Sequence, residues 1–68
     1  MKSIAQETRI MLAEKYFTQY IESYDDTDFL MLSAHIYVNN LKCEDIVEIE
    51  NSDYKHKELL ISYYSITH

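Results

Sequence analysis

The residues best suited to chemistry are three histidines, one cysteine and twelve carboxylates, and their spacing sets the first limits. His35 lies inside an apolar run, His56 stands between Lys55 and Lys57, and His68 is the last residue. With an acid, Cys43 and His35 could make an activated nucleophile. No local spacing joins them, and a chain of 68 residues has little room to enclose a substrate pocket of several hundred Å³. No catalytic residue is assigned, and the chain is read as non-enzymatic. Asp26 and Asp28 are two apart, as the first ligands of a calcium loop are, but Leu30 takes the next ligand position and neither the central Gly nor the closing Glu is present. The DDTD stretch (Asp25 to Asp28) is therefore expected to cap a helix, with no metal and no cofactor. One cysteine allows neither an internal disulfide nor a cysteine-rich zinc site, so Cys43 is expected to be a small buried apolar residue.

The acids carry a stronger signal through their placement. The stretch CEDIVEIENSD holds Glu44, Asp45, Glu48, Glu50 and Asp53 with no Lys or Arg. The formal charge is −6, and all of the net negative charge falls after Tyr24. Such a balance argues against nucleic acid, which is held by clustered Lys and Arg. It argues equally against an anionic membrane surface. A basic protein is the partner that electrostatics favours. The expected docking residues are Glu44, Asp45, Glu48, Glu50 and Asp53, with Asp25, Asp26 and Asp28 nearby. Rows of carboxylates could imitate the phosphates that a nucleic-acid-handling protein binds, and so occupy its channel. The plainer reading is a solvated face with acids near a helix N-terminus.

Seven tyrosines form the second pattern. Tyr16, Tyr20 and Tyr24 are spaced i, i+4, i+8, and Tyr63 and Tyr64 stand near the C-terminus. Half-buried Tyr suits a core margin or an interface. A homodimer closed by Tyr16, Tyr20, Tyr24, Tyr63 and Tyr64 is expected, because so short a chain buries only about 60% of the surface its unfolded form exposes.

The elements that would position these groups are helical. Gly and Pro are both absent, which disfavours tight hairpins. Ser3 and Gln6 have the form of a capping box. From Ile4 to Tyr24 two adjacent rows recur at helical spacing: Ala5, Thr8, Leu12, Tyr16, Tyr20, and Ile10, Ala13, Phe17, Ile21, Tyr24. Residues 29–38 read as a buried helix ended by Asn39-Asn40. A short acidic helix near 43–50 and a final helix capped by Ser52 or Asp53 complete an all-α bundle of three to four helices in one domain. The alternative is α+β, with one or two helices on a small antiparallel sheet from residues 36–66, where β-branched and Tyr residues are frequent.

No apolar run approaches the 18 or so residues of a membrane span, and MKSIAQETRI is too polar for a signal peptide. A cytoplasmic location is expected. The abundance of Ile, Tyr, Asn and Lys, whose codons are A/T-rich, points to a low-GC bacterium or one of its phages. The expected function is a small acidic regulator or inhibitor that binds a basic protein, for instance in anti-defence or host takeover. The competing class is a structural protein whose oligomerisation is its role.

Overall fold

Ser3 opens the first helix as expected, its Oγ accepting a hydrogen bond from the Gln6 amide at 3.1 Å. In the computed structural model, which describes residues 3–23 and 28–68, that helix is α1, Ile4–Glu22. It is followed by α2, Asp28–Asn39, α3, Cys43–Glu50, and α4, Lys57–Thr67. No strand occurs among the described residues, so the expected all-α bundle is the fold and the sheet alternative is discarded. No described residue takes a positive φ. The helices end on extended or ordinary turn conformations, such as Ser23 and Asn51, and Gly is not needed.

Of the two rows on α1, the second makes the core. Ile10, Ala13 and Phe17 are buried, whereas Ala5 and Thr8 of the first row face solvent. Ala13 and Ala34 belong to the same core, in which α1 packs against α2. Val38, Leu41, Ile49 and Leu60 complete that core. Helix α3 bridges α1 and α4, and α4 closes against α2.

Two expectations about boundaries are corrected. Helix α4 begins at Lys57, not at Asp53, because the Ser52 hydroxyl is used elsewhere: it donates to the Ile49 carbonyl at 2.7 Å and accepts from the Tyr54 amide at 3.3 Å. The intervening turn is anchored by Tyr54. Its hydroxyl donates to the Glu14 carbonyl at 3.2 Å and accepts from Thr18 Oγ1 at 2.8 Å, reaching back across the sequence to α1. Burial raises the Tyr54 phenol above its ordinary pKa, although the bond with Thr18 acts the other way. Tyr54→Phe is expected to cost about 1 kcal/mol in urea unfolding, the net worth of a part-buried hydrogen bond. The second correction concerns α2. It is not a buried helix: only Ser33, Ala34 and Val38 are enclosed, and Phe29, Met31, Leu32 and Ile36 face solvent.

Candidate functional site

Helix α3 carries the acidic stretch, and its geometry divides those acids into two groups. Asp45 and Ile49, four residues apart, form the buried stripe, with Ile46 half-buried beside them. Asp45 is completely enclosed, at 0% exposure. Its Oδ2 accepts from Arg9 Nε at 2.8 Å and its Oδ1 from Arg9 Nη2 at 3.1 Å, a two-pronged pair between α1 and α3. Oδ2 also accepts the Lys42 amide at 2.9 Å, so the same carboxylate caps α3. Burial by itself would raise the Asp45 pKa. The Arg9 guanidinium and the Lys42 amide outweigh it and hold the group below the usual carboxylate range. Asp45 is thus a structural residue, and its expected place on a docking surface is corrected.

The remaining acids point outward. Glu44, Glu48 and Glu50 are exposed, as is Asp53 in the turn that follows. At 100° per residue, Val47 falls at the centre of that outer face, and it is 56% exposed. Cys43 lies on the same side and is exposed, contrary to the expected burial. The helix dipole accounts for Glu44 near the N-terminus but not for Glu48 and Glu50 near the C-terminus, where negative charge is disfavoured. Lys57 relieves part of that cost by donating from Nζ to the Glu50 and Ser52 carbonyls, at 3.2 and 3.0 Å.

The other acids separate in the same way. Asp28 is the exposed first residue of α2. Asp25, Asp26 and Tyr24 lie outside the described residues. Glu22, at the end of α1, binds Lys55 Nζ at 2.6 Å and His56 Nε2 at 2.9 Å, tying the turn before α4 to α1. The hydrogen bond from Lys55, followed by that from His56, lowers the Glu22 pKa.

The tyrosines are largely occupied within the chain. Tyr16 stacks on Tyr37 with ring centroids 4.6 Å apart, and Tyr20 and Tyr63 pack edge-on to each other and against Phe17. Tyr64 stacks on His68. Tyr16, Tyr20, Tyr63 and Tyr64 are all half-buried, and Tyr20, Tyr63 and Tyr64 pack against the core. His35 bonds Asn39 at 2.9 Å and Tyr63 at 3.4 Å, and these contacts do not bring it to Cys43. No group of three or more metal-ligating side chains occurs among the described residues. No helix of the described residues is long and apolar enough to cross a membrane.

One arrangement was not anticipated from sequence. Charge is sorted by helix: residues 29–41 and 59–68 contain no Asp, Glu, Lys or Arg, whereas 42–58 contain six carboxylates and three lysines. The signal lay in the gaps between charged residues, not in the charged runs. The molecule therefore has an acidic face on α3 and an uncharged one on α2 and α4. No protein-family model matches the chain, and no curated protein or solved structure is detectably similar to it.

Proposed function

We propose that this protein is a non-enzymatic regulator that docks on a basic, nucleic-acid-handling protein through the outer face of α3. Glu44, Glu48 and Glu50 present carboxylates to the partner's Lys and Arg, and Val47 between them supplies an apolar contact. Asp53 extends the face into the turn. The observation that carries this reading is the sorting of charge. Glu44, Glu48 and Glu50 gather negative charge on the side of α3 turned away from the core, partly against its dipole, while Glu44 also reaches Arg9 Nη2 at 3.6 Å. The same face can steer a cationic surface into contact and displace the phosphates it would otherwise hold. The A/T-rich residue usage fits a phage or mobile element as the source of such an inhibitor.

The test is a variant that removes charge from the outer face and leaves Asp45 intact: Glu44→Gln, Glu48→Gln and Glu50→Gln together. Its unfolding free energy is expected to stay within about 1 kcal/mol of the native value, since the ion pair it breaks between Glu44 and Arg9, at 3.6 Å, is exposed on the glutamate side. Both forms are then used to capture proteins from a low-GC bacterial lysate at low and high salt. A nucleic-acid-binding protein retained by the native form alone, and released by salt, supports the docking face. If both forms retain the same protein, the acids provide only solubility.

A further inference from the structure

Among the described residues, α2 leaves four large apolar side chains exposed: Phe29, Met31, Leu32 and Ile36. Phe29, Leu32 and Ile36 are 70%, 56% and 47% exposed, and their spacing of three and four puts them in one stripe along the helix. Met31 and His35 form the neighbouring row, and His35 meets Tyr63 of α4 in an edge-on ring contact. Leu59 and Ile66, four before and three after Tyr63, continue that side of α4 and are exposed as well. Soluble monomers rarely leave contiguous apolar patches larger than a few hundred Å² open.

We infer that a second copy of this chain covers this surface, with α2 packed antiparallel against α2 of its partner to give a symmetric dimer. Two features select that occupant. The first is charge. Each copy carries −6, so self-contact is favourable only where the meeting surfaces hold no charge, and α2 beyond Asp28 is uncharged throughout. Pairing there also keeps the two α3 faces off the contact. The second is the symmetry of the stripe. Under a two-fold axis a residue i that meets j is matched by j meeting i. The midpoint between Phe29 and Ile36 falls beside Leu32, so an antiparallel pair sets Phe29 against the partner's Ile36 twice, with the two Leu32 side chains near the axis. A parallel pair would instead put both Asp28 carboxylates side by side. A stable interface takes about 800 Å² from each partner, about a sixth of the 4836 Å² that the chain exposes. The apolar rows of α2 and α4 lie where that area would be drawn.

The proposal is independent of the acidic face, and salt separates the two. A dimer formed through the uncharged surface is expected to hold or tighten as salt rises, because screening weakens the repulsion between two acidic chains. Sedimentation of the full chain should give 16.4 kDa, twice the 8.2 kDa protomer. Leu32→Glu should give 8.2 kDa, with dimer affinity lowered on the order of 100-fold or more by two charges at the axis. Helicity should be unchanged, since Leu32 is exposed in one copy. A second variant keeps the proposal testable if Leu32→Glu unfolds. In a Cys43→Ser background, Phe29→Cys with Ile36→Cys should oxidise to a covalent dimer. Seven residues of helix hold those positions about 10 Å apart within one chain, too far for an internal disulfide. A native chain that sediments as a monomer at all concentrations overturns the proposal. So does a dimer that survives Leu32→Glu in a folded chain, or a double-cysteine chain that stays a monomer under oxidising conditions.

Discussion

Asp45→Ala is expected to cost about 3 kcal/mol of stability at neutral pH and room temperature. The substitution removes the α3 cap and takes from the Arg9 guanidinium its two hydrogen bonds to one carboxylate, leaving it the more distant Glu44 at 3.6 Å. Loss of a cap costs about 1 kcal/mol, and breaking an enclosed pair by removing one partner costs more than the pair contributes. Together about 3 kcal/mol is expected, against a total stability of roughly 3–10 kcal/mol for a chain of this size. Acid should narrow the difference between native and variant. The folded Asp45 pKa is lowered, so its contribution is complete above the ordinary Asp value of about 3.9 and is lost as pH falls through the lower folded value. Urea unfolding of both proteins between neutral and acid pH measures this directly. A difference that grows on acidification would contradict the assignment. High salt should leave it nearly unchanged, because the carboxylate is enclosed.

Phe17→Ala should be at least as damaging. Phe17 is the largest side chain of the core, and its ring packs against both Tyr20 and Tyr63, joining α1 to α4. Truncation of a buried Phe costs about 3–5 kcal/mol. So small a core has few neighbours able to collapse into the gap. Circular dichroism should show loss of most helicity in the isolated chain. Unfolding of this variant should also depend on protein concentration if a second copy covers α2, because dimerisation then contributes to folding. A Phe17→Ala protein that keeps native helicity at low concentration would mean that the tyrosines around it carry the core instead.

The parts of the fold that were legible in sequence were the locally determined ones. Ser3 and Gln6 marked the start of α1, and the row Ile10, Ala13, Phe17 marked its inner face. Asn39 ended α2 as its position suggested. What stayed hidden depended on partners far along the chain. Asp45 looks like one acid among five, and the cation that draws it inward, Arg9, is 36 residues away. Helix α3 therefore has no clean apolar stripe, since one of its inward positions is a carboxylate. Ser52 resembled a cap for α4, but Tyr54, reaching back to Glu14 and Thr18, turns the chain there first. The tyrosine row suggested an interface because spacing reveals a face without revealing what already covers it. Conversely, the apolar density of residues 29–38 suggested burial, whereas the bundle is too small to enclose every side of α2.

Helix α3 thus has two unlike sides, with Asp45 fixing the inner one to α1 and Glu44, Glu48 and Glu50 turned outward. The most direct test of the docking face is an affinity titration of the purified native and triple Gln proteins with the basic protein captured by the native form. It is run at about 50 and about 300 mM salt, either side of the range over which exposed charges are strongly screened. At low salt the triple variant should bind about 10-fold more weakly, chiefly through slower association, and the gap should close at high salt. Equal affinities of the two proteins at low salt would contradict an acidic docking face on α3.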